Sequence, residues 1–263
     1  LIKSDAEISM MRHACAVSAQ AHILAMQCTT ASHEYHLQAT IEAHFAQHAM
    51  RPAYTSIVGG GRNACVLHYI ENNTPLQSGA LVLIDAGASH SLYNADITRT
   101  FPINGRFSPA QAAVYQVVLE AQLAAIAAVQ VGNTWQQMHD AAMRVLTQGL
   151  VQLGILTGNL DTLIQDGAYK PYYMHSTGHW LGLDVHDVGS YANRAGESQA
   201  FEQGMVVTVE PGLYFGADDN RVPLAYRGIG IRIEDDVLVT ATGNEVLTAG
   251  VPKTVADIEA LMQ

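Results

Sequence analysis

Residues 81–101 read LVLIDAGASHSLYNADITRTF. The apolar run Leu81 to Ile84 ends on Asp85 and turns through Gly87. The chain then resumes with Asp96, Thr98 and Thr100 on one parity and Ile97, Arg99 and Phe101 on the other. Side chains alternate along an extended chain, so the pattern is strand, turn, strand. A carboxylate closing an apolar strand is expensive to bury alone, so Asp85 needs a cation, hydrogen-bond donors or water around it. Asp96 is expected to face the same region. Two close carboxylates repel unless positive charge sits between them, so the stretch predicts a carboxylate-rich metal site.

Ahead of this stretch lie two helices. Ser4 with Glu7 forms a capping box for a helix to about Met26, and His33 to Met50 reads as a second. His44 and His48 stand four apart, but HFAQH lacks the glutamate of the zinc-helix signature, so a solvated helix face is the preferred reading. Ala53–Val58 and Ala64–Ile70 are read as short strands around the Gly59, Gly60, Gly61 turn. No Gly-Lys-Ser/Thr follows those glycines, which argues against a phosphate loop. His68 falls in the second of these strands, and its role is left undecided by its chemistry.

Beyond it, Ser108 with Pro109 starts an Ala-rich helix to about Gln130, and Asn133 or Thr134 caps another to about Leu153. Strands are expected near Tyr172–His175, at Met205–Glu210 and at Ile229–Thr240. Helix, helix, strands therefore occurs twice, which predicts an α+β domain over residues 1–263 with two similar halves, about 1–107 and 108–263, and a site shared between them.

Composition narrows the function. With 263 residues and 49% hydrophobic, the chain can bury a sizeable core. A net charge of −11 without a basic stripe excludes a nucleic-acid partner. The apolar runs are short and interrupted, so no membrane partner is expected, and the first residues lack a signal-peptide pattern. The protein is on that ground read as cytoplasmic, and Cys15, Cys28 and Cys65, odd in number and without metal-finger or redox spacing, read as reduced thiols. The chain opens on Leu rather than Met and is read as part of something longer.

The second half carries His175, His179 and His186 within HSTGHWLGLDVHD, Glu210 in TVEPG and Glu234 in IRIEDD. Gly178 and Gly182 disfavour a helix, so His175 and His179 belong to a loop or extended segment. Glu210 closes an apolar strand before Pro211, repeating the logic of Asp85. Glu234 shares parity with Arg232, while Ile231 and Ile233 face the other way. Four carboxylates and one imidazole form an oxygen-rich set suited to Mn(II), with Zn(II) or Co(II) as alternatives. Two such ions held about 3.5–4 Å apart activate a shared water and polarise a carbonyl.

DAGASHSLYNADITRTFP (85–102), HSTGHWLGLDVHDVG (175–189), VVTVEPGLY (206–214) and YRGIGIRIEDD (226–236) closely resemble the catalytic domain of aminopeptidase P, the Xaa-Pro aminopeptidases of the pita-bread metallopeptidases. The resemblance implies a pita-bread fold, with pseudo-symmetric halves, a curved mixed or antiparallel sheet and helices outside. It implies two divalent metal ions: Asp85 and Asp96 ligate, Asp96 touches both ions, His179 and Glu210 hold one, and Glu234 bridges. His68, His175 and His186 correspond to histidines that contact substrate and stabilise the tetrahedral intermediate. Tyr214 and Arg232 correspond to the proline side of the pocket, and Glu210 to the proton carrier in attack by a metal-bridging hydroxide. The implied partner is a peptide with proline at its second position. The family's N-terminal domain is absent from this chain, and a homo-oligomer is expected of the full-length form. Ser176 and Thr177 depart from the family pattern, which usually has Gly after the first histidine.

Prolidase, which cleaves Xaa-Pro dipeptides, is the nearest alternative, followed by a pita-bread binding protein or fragment with impaired catalysis. Methionine aminopeptidase fits the WLGLDVHDVG segment less well. A nucleophilic hydrolase is disfavoured because Gly-x-Ser-x-Gly is missing and no Cys adjoins the histidines.

Overall fold

The computed structural model describes residues 1–263. The first half supplies helices α1 (Asp5–Met26) and α2 (Glu34–Gln47). Its strands are β1 (Arg51–Pro52), β2 (Ile57–Gly60), β3 (Leu81–Asp85), β4 (Ala88–His90), β5 (Tyr93–Asn94) and β6 (Thr98–Pro102). The second half begins with helices α3 (Pro109–Ala128), α4 (Trp135–Gln152) and α5 (Leu160–Gln165). Strands β7 (Val206–Val209), β8 (Gly212–Tyr214), β9 (Gly230–Arg232), β10 (Asp235–Thr240) and β11 (Gly243–Val246) follow, and helix α6 (Val255–Leu261) ends the chain.

Capping boxes set three helix starts. Ser4 pairs with Glu7, Ser108 with Gln111 and Thr134 with Gln137, each satisfying two backbone groups that a helix end leaves orphaned. The helix α3 is long and apolar enough to cross a membrane by composition, but Val114, Tyr115, Val118, Ala121 and Ala125 are buried in the protein core. On α2, His44 is half-buried and His48 exposed, its Nδ1–H donating to the His44 carbonyl at 2.9 Å.

All strand pairings are antiparallel. The order β2-β3-β6 sets Asp85 opposite Ile57 and Thr98, and β11-β10-β7 sets Asp235 opposite Val209. Smaller groups are β1-β4-β5 and β8-β9. The halves are stitched where the Glu234 N–H donates to the Thr98 carbonyl (3.1 Å) and the Thr100 hydroxyl donates to the Arg232 carbonyl (3.0 Å). Helix α1 braces the first turn from behind: Ser18 Oγ accepts the Ala88 N–H, and His22 Nε2 donates to the Ala86 carbonyl. Two glycines are fixed by close approach. A Cβ on Gly87 would lie 1.7 Å from the Ala95 carbonyl oxygen, and one on Gly178 would lie 1.9 Å from that of Thr208.

The chain departs from the expected strands in four places, the first at β2, which starts at Ile57 rather than Ala53 and runs on through Gly59 and Gly60, the glycines expected to turn. Residues 64–70 form no strand; a 3₁₀ turn spans Gly61–Cys65, because the segment wraps a buried carboxylate instead of pairing in a ladder. Glu34 accepts from Gly60 N (2.7 Å), Asn63 Nδ2 (2.9 Å), the Tyr69 hydroxyl (2.8 Å) and Thr74 N (2.8 Å). Val66 and Ile70, the apolar residues that suggested a strand, are exposed. Tyr172–His175 is also irregular, its first two amides turned back onto the Tyr169 carbonyl. Finally, the strand expected over 229–240 breaks between β9 and β10, placing Glu234 in the gap.

Candidate metal centre

Asp85 ends β3, Asp96 precedes β6, Glu210 follows β7 and Glu234 lies between β9 and β10. The segment around His179 runs along the edge of β7, with Thr208 N donating to the His179 carbonyl (3.0 Å) and Glu210 N to that of Thr177 (2.7 Å). Strand ends and interruptions free these side chains from both faces of the sheet and let them meet. One ligand atom each from Asp96, His179 and Glu234 lies within 4.8 Å of the others. His179 Nε2 is 3.4 Å from Asp96 Oδ2 and 3.6 Å from Glu210 Oε1. Asp85 joins through Tyr54, whose hydroxyl is 2.6 Å from Asp85 Oδ1 and 2.5 Å from Asp96 Oδ1.

Arg232 braces the group. Its guanidinium donates to Asp85 Oδ2 (2.6 Å), Thr98 Oγ1 (3.1 Å) and the Tyr214 oxygen (3.1 Å). The Thr98 hydroxyl donates to Glu234 Oε2 (2.5 Å). Tyr214 is 2.8 Å from His175 Nε2, while His175 Nδ1–H donates to the Ser176 carbonyl (2.8 Å). The second contact fixes the tautomer, so Nε2 accepts the Tyr214 hydrogen. His186 packs edge-on to His179 at 4.3 Å between ring centroids, and His68 lines the same cleft of about 1280 Å³.

The electrostatics leave this group short of positive charge. Burial, then the neighbouring carboxylates, push Glu234 well above the usual carboxylate range. Burial raises Glu210 to about 7 against the pull of His179 and Arg232, and it raises Asp85 against Arg232. Burial also disfavours protonated His179, but the hydrogen bond and charge of Asp96 and the charge of Glu210 outweigh it and lift His179 to about 9. The one Tyr54 hydrogen cannot serve two carboxylates at once. His179 Nδ1–H donates to the Trp180 carbonyl (3.0 Å), leaving Nε2 toward the acids as a metal-binding imidazole requires. Four carboxylates deficient in donors and one oriented imidazole fit divalent cations.

Residues 9–241 match the model of metallopeptidase family M24. The chain belongs to that family. Over its whole length it is 53% identical to a Xaa-Pro aminopeptidase of Haemophilus influenzae and 49% identical to one of Escherichia coli, spanning 61% and 59% of those proteins. The structure of Pseudomonas aeruginosa aminopeptidase PepP superposes with a TM-score of 0.98 at 55% identity, covering 100% of this chain and 60% of that one. Zn-substituted E. coli aminopeptidase P in complex with product gives 0.96 at 49% identity, covering 100% and 59%. The chain thus spans about 60% of the length of these M24 relatives, and the fold is the pita-bread fold of aminopeptidase P.

All the candidate catalytic, substrate-binding and metal-ligating residues border one cleft or bond to a residue that does. Sequence reasoning missed Tyr54, which precedes β2 with nothing beside it to mark it. It also attached no role to Thr98, although its parity with Asp96 already placed it on the same face.

Proposed function

We propose that the protein is a metal-dependent aminopeptidase that removes an N-terminal residue preceding proline. Two divalent ions, Mn(II) foremost, would be held by Asp85, Asp96, His179, Glu210 and Glu234. The observation carrying this reading is the convergence of those side chains on one cleft, with Asp96, His179 and Glu234 close enough to share an ion. The Xaa-Pro aminopeptidases among its relatives support the substrate class.

When bound, the ions supply the Lewis acidity that lowers the pKa of an attacking water and polarises the scissile carbonyl. Glu210, which follows β7 at the cleft, would take the proton from the attacking water and hand it to the departing proline nitrogen. Arg232 anchors Tyr214, and Tyr214 in turn donates to His175, giving the proline side of the cleft a fixed hydrogen-bond order. Burial holds His175 down to about 3, with Arg232 adding to the effect, so it stays a neutral acceptor there. His68 and His186 line the cleft, where they would stabilise the developing oxyanion. The three cysteines, all unpaired, favour a cytoplasmic setting, and the full-length form is proposed to be a homo-oligomer.

The test is full-length protein reconstituted with Mn(II), offered a Xaa-Pro-Xaa tripeptide and the matching Xaa-Pro dipeptide. Release of the first residue from the tripeptide, with two ions per chain by elemental analysis, is the expected result. Cleavage of the dipeptide alone would favour prolidase, and no cleavage of either would overturn the peptidase reading.

A further inference from the structure

His139 lies in the second turn of α4 and lines the cleft with Trp135 and Gln136 of the same helix. Its Nδ1 is 2.8 Å from Thr177 Oγ1, which is 2.6 Å from the Tyr173 hydroxyl. Tyr173 and Thr177 are 2% and 1% exposed, and the Tyr173 hydroxyl makes no other hydrogen bond.

Counting hydrogens orders this chain. Were Nδ1–H to donate to Thr177, the Thr177 hydrogen would pass to Tyr173, and the buried Tyr173 hydrogen would have no acceptor. A buried donor left without an acceptor is disfavoured, since it has given up water for nothing. The order Tyr173 to Thr177 to His139 gives each hydrogen an acceptor. Nδ1 then accepts and Nε2 carries the hydrogen. Nε2 meets no acceptor within the protein and is not sealed from solvent.

The position of the ring indicates what it meets. His139 stacks on Tyr173 (5.9 Å, 24°), Tyr173 meets His175 edge-on (5.0 Å), and His175 bonds Tyr214. His139 therefore continues the wall assigned to proline, one ring further from the reacting bond. We propose that His139 is a further substrate-binding residue, a fixed Nε2–H donor to a carbonyl or carboxylate oxygen of the peptide residue after the proline. Thr177 and Tyr173 are the positioning residues that set its tautomer. The assignment rests on the peptidase reading above.

In full-length, Mn(II)-loaded protein, His139→Phe keeps the ring against Tyr173 and removes the donor. KM for Xaa-Pro-Xaa should rise about 3- to 10-fold with kcat held within about two-fold and metal content unchanged. His139→Gln, which places an amide donor near Nε2, should restore most of the loss. A greater KM rise for the tripeptide acid than for its amide identifies a carboxylate as the acceptor, and equal rises identify a carbonyl. Unchanged KM in His139→Phe, or lower kcat at constant KM, overturns the assignment while wild-type cleavage stands. Absence of wild-type cleavage overturns the peptidase reading instead. Nitrogen-15 imidazole spectra of the metal-free full-length protein give a readout independent of turnover. The resonances lost in His139→Gln should show the Nε2–H tautomer in wild type and a tautomer mixture in Thr177→Val, and an Nδ1–H pattern in wild type overturns the proposal.

Discussion

Glu234 and Asp235 are neighbours in sequence and equally inaccessible, yet their surroundings are opposite. Asp235 Oδ1 accepts from Arg99 (2.7 Å) and Thr248 (2.7 Å), and Oδ2 accepts from Gln122 (2.7 Å) and Lys253 (2.7 Å). Burial alone would raise its pKa, but Arg99 and Lys253 overcome it and hold Asp235 down to about 2. The Glu234 carboxylate has one protein donor, the Thr98 hydroxyl, and faces Asp96, Glu210 and Asp85. Its pKa goes the other way, raised by burial and by those charges. Burial is therefore not what marks a functional acid here. Compensation separates them: Asp235 is complete within the protein, and Glu234 is completed by something from outside it.

The largest effect expected from this contrast is on Glu234→Gln. A neutral amide bridges cations poorly, so one ion should be lost and activity should fall more than about 1,000-fold. The metal-free variant should be no less stable than metal-free wild type, because a crowded acid has been removed. Two ions and full turnover in Glu234→Gln would break the comparison at its functional end. Asp235→Asn should do the reverse, lowering stability by about 3–5 kcal/mol in denaturant titrations by leaving the buried Arg99 and the half-buried Lys253 with half their partner gone. A loss below about 1 kcal/mol would mean the network is worth no more than a surface pair.

A smaller effect comes from His22, fully buried behind the site, with Nε2 on the Ala86 carbonyl and Nδ1 unpartnered. Burial lowers its pKa to about 4. Between its unfolded value of about 6.5 and the folded value the unfolded chain binds more protons. The contribution is therefore complete above about 6.5 and drains away as pH falls toward 4, up to about 3 kcal/mol in all. His22→Gln keeps a donor to Ala86 and should flatten the slope of stability between pH 7 and 4.5. An unchanged slope would show that some other group carries it.

Much of this arrangement was legible in the chain because periodicity reports which face a side chain takes. Asp85 at the end of an apolar run, Thr98 with Asp96, and Glu234 with Arg232 all follow from alternation, and the Ser4–Glu7 capping box, Ser108 with Pro109, and the Asn133/Thr134 cap located three helix starts. Periodicity does not say what stands opposite. Arg99 meets Asp235 from 136 positions away, and Glu34 dictates the turn over 61–65 from a helix that precedes it, so a segment with strand-like alternation folded around a carboxylate instead. Tyr54 and His139 escaped for the same reason, since each gains its role only from partners the local sequence does not contain.

The smallest predicted effect sharpens the comparison from the solvent side. Arg12 makes a two-pronged contact with Glu245, Nε to Oε1 at 3.0 Å and Nη2 to Oε2 at 2.6 Å, a geometry at least as good as that of Arg99 with Asp235. Its side chains are 49% and 42% exposed, against 0% for both partners of the buried pair. Water screens the exposed charges and solvates each when the other is removed, so neither is stranded. A double-mutant cycle on Arg12 and Glu245 should give a coupling of about 0.2–1 kcal/mol that shrinks with added salt. The same cycle on Arg99 and Asp235 should give several-fold more, nearly independent of salt. Equal couplings would mean that geometry governs these pairs, and the contrast between Glu234 and Asp235 would then need a cause other than how each buried charge is compensated.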